Sequence, residues 1–229
     1  EIDYLLKPGI LTGKRALVTS GPTIEQIDPV RFISNNSSGK QGHAIADALR
    51  RHGADTKLIS GPVNIKDPEN MKVTKVNSAE EMLHECRESL PVDIAVFAAA
   101  VSDWKCSKTS NIKIKKTSEN DELNLNLEKN QDILKEISTL NKNRPDLVIG
   151  FSLETDNLIE TAKEKLKNKS CDWIIANEHH NGKESVFDSD MNSVKLVEND
   201  NLEDWGYLTK NDIAEKLCIK ISKFFNEAA

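Results

Sequence analysis

The chain has 229 residues, with 31 Lys and Arg against 37 Asp and Glu, a formal net charge of −6. Hydrophobic residues make up 38% and charged residues 30%, which excludes a disordered tail and allows one sizeable core without staples. The acidic balance argues against a general nucleic-acid binder but leaves room for one local anion pocket, and no run approaches the roughly 18 apolar residues of a membrane span.

Residues 1–13 read as a lead-in, and residues 14–225 as one domain. The start, Glu1-Ile2-Asp3-Tyr4, lacks an initiator Met and has no basic region leading into an apolar stretch. We therefore expect a processed chain or a piece of a longer one, without a signal peptide. Cys86, Cys106, Cys171 and Cys218 are scattered, with no pair at metal-knuckle or redox spacing, so reduced structural thiols in a cytoplasmic protein are expected.

Arg15–Ser20 is a short β-rich run stopped by Gly21-Pro22 and reads as a buried strand. A helix is predicted over Gly39–His52, where Ala44, Ile45, Ala48 and Leu49 share a face and Gly53 can end it. Strands follow at Asp55–Ser60 and Lys72–Val76. A helix over Ser78–Ser89 has Ser78 and Glu81 at capping-box spacing. Asp93–Ala100 gives the strongest buried-strand signal. Helices over Ile133–Leu140 and Asp156–Lys169 then alternate with strands over Leu147–Phe151 and Trp173–Ala176. This alternation predicts an α/β fold, a largely parallel, doubly wound sheet with ligands at the strands' C-terminal ends. Two parts break the rhythm. Residues 104–128 alternate with period two, as in Ile112–Lys115 and Leu123–Leu127, and predict a β excursion that covers a site or forms a dimer contact. Residues 177–208 read as a loop and a meander with a strand over Ser193–Val197, before a last helix over Lys210–Phe225.

Four segments can carry chemistry. Thr19–Thr23, a small-residue turn after the first strand, is either an ordinary turn or a close backbone approach to a phosphate or ribose. Ser34–Lys40 gathers amides, hydroxyls and a lysine before a helix, either as an anion cradle or as capping by Ser37 or Ser38 beside a surface lysine. It is not the common P-loop, because Gln41 follows Gly39-Lys40. Ala98–Asp103 leaves space after a buried strand. Asp103 can serve a ribose, a base or a metal bridged to phosphates, or merely cap a helix. Lys113 and Lys115 are either a phosphate clamp or a solvated basic strand face. A conventional dinucleotide site is disfavoured: G-x-G-x-x-G is absent, and the second strand ends Leu58-Ile59-Ser60 with no ribose-binding acid. His179-His180 beside Glu178 makes a poor metal pair, since adjacent loop histidines seldom face one ion. Cys106 has no neighbouring His to activate it.

Taken together, Thr19–Thr23, Asp28–Lys40, Ala98–Asp103, Lys113–Lys116, Lys129–Ile133 and Gly150–Thr155 resemble the phosphopantothenate–cysteine ligase family, from about Gly13 to about Ile221. The resemblance implies a modified Rossmann-like, homodimeric fold of the bacterial, CTP-dependent type, which follows a flavin-dependent decarboxylase domain in many chains. It implies that CTP, with Mg2+, activates phosphopantothenate as an acyl-cytidylate and releases pyrophosphate, and that L-cysteine then displaces CMP. By position, Asn35 matches the asparagine that handles the intermediate and Lys113 the lysine of the activation step. Arg31 matches a substrate-side arginine, with Ser37, Ser38 and Lys40 on the same substrate segment. Gly21, Phe97, Ala98, Ala99, Asp103, Gln131, Asp132, Ile133, Leu134, Phe151, Lys165 and Lys169 match the nucleotide side, and the metal is held by Asp103 or by the triphosphate alone. Gln131 stands where proline is usual, and Ser152-Leu153 where two small residues are usual. A non-catalytic nucleotide-binding subunit and an NAD oxidoreductase stay as alternatives.

Overall fold

The computed structural model describes residues 9–115, 123–154, 157–178 and 189–227. Its centre is an eight-stranded sheet built from β1 (Arg15–Ser20), β4 (Asp55–Ser60), β5 (Lys72–Lys75), β6 (Ile94–Phe97), β9 (Leu147–Glu154), β10 (Trp173–Glu178), β11 (Met191–Val197) and β12 (Leu202–Thr209). The order across the sheet is β12-β11-β10-β9-β6-β1-β4-β5. The six strands from β10 to β5 run parallel, and β11 and β12 close the other edge antiparallel. The expected largely parallel α/β fold is therefore present. The meander expected in residues 177–208 becomes β11 and β12, with a bulge at Val194/Lys195.

The parallel strands are apolar on both faces because helices cover both. On one face, α1 (Lys40–Arg51) and α5 (Lys210–Glu227) lie against Val18, Ile149, Ile175 and Val194. On the other, α2 (Ala79–Glu88), α3 (Ile133–Ser138) and α4 (Leu158–Lys169) cover Leu17, Ala95, Val148 and Ala176. Leu11, which precedes β1, is 1% exposed and belongs to the first of these cores. Ser78 caps α2, accepting from the Glu81 amide at 3.2 Å. The Glu81 carboxylate reaches one residue further back than a capping box requires, to the Asn77 amide at 2.6 Å.

Two small ladders stand outside the sheet: β2 (Ile24–Gln26) with β3 (Phe32–Ser34), and β7 (Trp104–Cys106) with β8 (Leu127–Lys129). Among the described residues, the excursion thus holds less strand than its alternation suggested. Ile112–Lys115 joins no ladder, because both main-chain groups of Ile114 bond to side chains: its N–H donates to Asp28 at 3.1 Å, and its carbonyl accepts from Arg31 at 2.8 Å. Of Leu123–Leu127, Leu127 alone is in a strand. The strand expected over Asp93–Ala100 stops at Phe97. Beyond it the Ala98 and Ala100 amides turn to the carbonyls of Thr19 and Gly21, at 3.2 and 2.9 Å. Lys116, Thr155, His179 and His180 lie outside the described residues.

Candidate active site

The chain runs from β1 outward to β4 and β5, then returns to place β6 on the other side of β1. This reversal opens a crevice at the C-terminal ends of β1 and β6, where open α/β sheets bind ligands. A cleft of about 850 Å³ lies there. Its floor is the pairing of two sequence blocks. Pro22 bridges Ala100, the Ser102 amide donates to Thr23 Oγ1 at 2.9 Å, and the Ala99 amide to Thr19 Oγ1 at 3.3 Å. Side chains no larger than Ala98, Ala99 and Ala100 keep this backbone open to the cleft.

Ser34–Lys40 crosses above the floor. Asn35 Nδ2 donates to the Val101 carbonyl at 2.9 Å, which fixes its amide over the alanine run. The Gly39 backbone has φ +75°, the left-handed region that favours glycine, and it begins α1 without a side-chain cap. The start of α1 thus turns its first amides and positive dipole end toward the cleft. The expected alternative, capping by Ser37 or Ser38, is not what holds this end: Ser37 Oγ accepts from the Gly39 amide at 3.3 Å, outside the helix. Support comes from below. Ser20 Oγ donates to the Gly39 carbonyl at 2.8 Å and lies 2.9 Å from Nδ1 of the buried His43, whose Nε2 is 3.5 Å from Asp67. Burial holds the His43 pKa below the ordinary histidine value, against the opposing pull of the Gly39 carbonyl and Asp67.

The remaining wall comes from the end of β8, the start of α3, and α4. Asn130 donates from its amide to the Asp103 carbonyl and from Nδ2 to the Ser102 carbonyl, both at 2.9 Å, tying Gln131–Leu134 to the exposed Asp103. Lys165 and Lys169, four residues apart on one face of α4, line this side. Lys165 pairs with Glu154 at 2.6 Å and Lys169 with Asp132. On the opposite side, Lys40 pairs with Asp190 at 2.7 Å and lowers its pKa.

Asn35, Ser37, Ser38, Lys40, Phe97, Ala98, Ala99, Asp103, Gln131, Asp132, Ile133, Leu134, Phe151, Lys165 and Lys169 thus meet around one cleft. Gly21 sits in the floor pairing behind it, its carbonyl accepting from Ala100. Arg31 and the exposed Lys113 do not line it. Arg31 donates to the Asp28 carboxylate through Nε at 3.0 Å and Nη2 at 2.5 Å. Burial pushes the Asp28 carboxyl up, but hydrogen bonds from Arg31 and from the Val30, Ile114 and Arg31 amides outweigh it and hold the group well below the usual carboxylate range.

A sequence model for the DNA/pantothenate metabolism flavoprotein C-terminal domain matches residues 11–225. The chain belongs to this family. It is 42% identical over 195 residues to the coenzyme A biosynthesis bifunctional protein CoaBC of Haemophilus influenzae, covering 85% of this chain and 48% of that one. The chain therefore spans about half the length of the curated relatives it matches. The crystal structure of the CoaBC C-terminal domain superposes with a TM-score of 0.79 at 32% identity, over 96% of this chain and 99% of that one. The fold also recurs, at 17% identity and a TM-score of 0.72, in Cab2 mutant H337A, solved as a complex with phosphopantothenate-cysteine; that match covers 99% of this chain and 91% of Cab2.

Several lining residues of this domain carried no signal of their own. Gln41, Asn177, Asn192 and Lys210 reach the cleft from the first turn of α1, the end of β10, the start of β11 and the start of α5. Polar residues at element ends look alike in a sequence, and the sheet order alone brings these four together. Ser152, noticed as a departure from the family pattern, is 6% exposed and its hydroxyl has no partner among the described residues. No cluster of three His, Cys, Asp or Glu that could hold a metal occurs among the described residues.

Proposed function

We propose that the chain is a phosphopantothenate–cysteine ligase of coenzyme A biosynthesis, using CTP as co-substrate. The observation that carries this reading is the convergence of Asn35, Ala98–Asp103, Gln131–Leu134, Phe151 and the Lys165/Lys169 pair on one cleft at the switch point of the sheet. Two lysines four residues apart suit a polyphosphate, and a small-residue floor suits a nucleoside held by backbone groups. In the first step a carboxylate oxygen of phosphopantothenate bonds to the α-phosphorus of CTP. The bond to pyrophosphate breaks, and pyrophosphate leaves with the electron pair. In the second, the cysteine ammonium first gives up one proton to become the free amine; its nitrogen then bonds to the acyl carbon, the bond to CMP breaks with CMP keeping the electron pair, and the nitrogen loses a second proton.

Asn35 suits the acyl carbonyl, because its amide adds hydrogen-bond capacity without charge. Lys113 is assigned to the developing charge on pyrophosphate, which requires the segment carrying it to close over a cleft. Arg31 and Asp28 tether that segment through Ile114. Lone carboxylates such as Asp103 do not make a magnesium cage. The donor set fits a Mg2+ that arrives on the triphosphate and touches the protein through at most one or two carboxylates. Exposed Val30, Phe32, Trp104, Ile112, Leu125 and Leu127 around the two small ladders support a homodimer that covers them. Fusion to a decarboxylase domain in the natural protein belongs to the same reading, as does a cytoplasmic location. No described helix is long and apolar enough to cross a membrane.

The test is a reaction of protein, CTP, Mg2+, phosphopantothenate and L-cysteine, scored for pyrophosphate, CMP and coupled product, with an ATP arm and an arm without cysteine. Coupled product with CTP is expected. Lys113→Gln should block pyrophosphate release, and Asn35→Asp should let the acyl-cytidylate accumulate. Binding of CTP by a folded protein that forms no product would instead favour a non-catalytic nucleotide-binding subunit.

A further inference from the structure

The cleft has two arms, one on each face of the sheet. Alternation along β9 and β10 sends Ser152 and Ala176 to the face of α3 and α4, and Phe151 and Asn177 to the face of α1 and α5. Asn192, two residues before Val194 on β11, shares the second face. Lys165 and Lys169 belong to the first arm; Gln41, Asn177, Asn192 and Lys210 belong to the second.

The second arm is built of amides and one buried cation. Gln41 Nε2 donates to the Lys210 carbonyl at 3.2 Å, which fixes the orientation of the amide. Among the described residues, Gln41 Oε1 is then left buried with no donor, and Asn177 Oδ1 is buried in the same condition. Lys210 is 7% exposed, and its amide donates to the Asp190 carbonyl at 2.8 Å. The arm thus offers acceptor oxygens with positive charge beside them.

The three reactants differ in what they present to such a surface. Phosphate and carboxylate groups are acceptors only, so the two ends of the phosphorylated acid would set acceptor against acceptor, and its hydroxyl and amide supply one donor each. The nucleotide also carries donors, on its base amine and ribose hydroxyls, but its polyphosphate has the Lys165/Lys169 pair on the opposite face to hold it there. An α-amino acid carries an ammonium with three donors and no acceptor, one carbon away from a carboxylate.

We infer that the arm between α1, α5 and the ends of β10 and β11 seats the amino-acid substrate, with Gln41 Oε1 and Asn177 Oδ1 accepting from its ammonium and Lys210 supplying positive charge to its carboxylate. This rests on the ligase reading and adds a place for the second-step substrate. The near-isosteric variants Gln41→Met and Asn177→Leu remove the acceptors and keep the bulk. Each should raise the KM for L-cysteine at least tenfold, while pyrophosphate release from CTP and phosphopantothenate in the absence of cysteine stays within twofold of the parent. An unchanged cysteine KM overturns the inference. So does a rise in the KM for phosphopantothenate or CTP, which would hand the arm to that reactant. If Asn177→Leu fails to fold, Gln41→Met in the first helical turn keeps the test open. Absence of pyrophosphate release by the parent protein itself is a different result: it sinks the ligase reading before any variant is compared.

Discussion

Gly42→Ala puts one methyl group where α1 meets the end of β1. A Cβ at position 42 would lie 2.5 Å from both Cβ and Oγ of Ser20 and 3.0 Å from its Cα. Non-bonded carbons settle at about 3.5–4.0 Å, so the contact must open by roughly 1 Å. Ser20 cannot yield cheaply: it is fully buried and bonded to Gly39 and His43. The helix cannot yield cheaply either, because Ile45, Ala46, Ala48 and Leu49 are fully buried behind it. Overpacking of this kind costs about 1–3 kcal/mol. Opposing it, Ala is favoured over Gly inside a helix by about 1 kcal/mol. The net expectation is a destabilisation of about 0–2 kcal/mol, read by urea unfolding. The larger effect falls on function, because the displaced element carries Ser34–Lys40. A displacement of about 1 Å costs on the order of 100-fold in rate, so kcat/KM for the coupled reaction should fall far more than stability does. A Gly42→Ala protein stabilised by the full helix-propensity gain and retaining parental kcat/KM would refute the claim that this close approach positions the loop.

Asp28→Asn should weaken the tether of Ile114, seen as faster amide exchange there and as slower pyrophosphate release. With the folded pKa of Asp28 below its unfolded value, its contribution is present above about pH 4 and is lost as the pH falls from there; a stability gap between the parent and the Asp28→Asn variant that grows on acidification would contradict this sign. Ser78→Ala removes the cap of α2 and should cost about 1 kcal/mol in urea unfolding, with activity intact, since α2 lies away from the cleft. Burial pushes the Cys86, Cys171 and Cys218 thiols up to about 12. These three should resist alkylation at about pH 8 in the folded protein, and all four cysteines should react after unfolding; rapid native labelling at any of the three, mapped by mass spectrometry, would show the core to be more open than described.

Where one physical signal dominates, the chain can be read directly. Arg15–Ser20, Asp55–Ser60 and Leu147–Phe151 are short β-rich runs bounded by turn residues, and they form interior strands of the sheet. Amphipathic α1 begins and ends within a residue of its apolar periodicity. The site blocks were legible as clusters of small and polar residues after strands, and their meeting follows from strand order. What resisted reading was governed by partners distant in sequence. Ile112–Lys115 has the alternation of a strand, but Asp28 and Arg31 occupy the main-chain groups a neighbouring strand would need. Ala98–Ala100 is expected to continue the strand that begins at Asp93, yet it turns to the loop after β1. Gln41, Asn177, Asn192 and Lys210 had no local signature, because their common position exists only once β11 and α5 close over the edge of the sheet.

Three of the lysines around the cleft meet an incoming anion with carboxylates already at hand: Glu154 on Lys165, Asp132 on Lys169 and Asp190 on Lys40. Association there is a trade of counter-anions, in which the visitor's charge must outbid a resident carboxylate at each lysine. A monoanion gains little from one such trade, whereas a polyanion that makes several at once gains repeatedly. The surrounding acidic residues therefore act as a valence filter, turning away simple anions from a cleft whose cations would otherwise collect them.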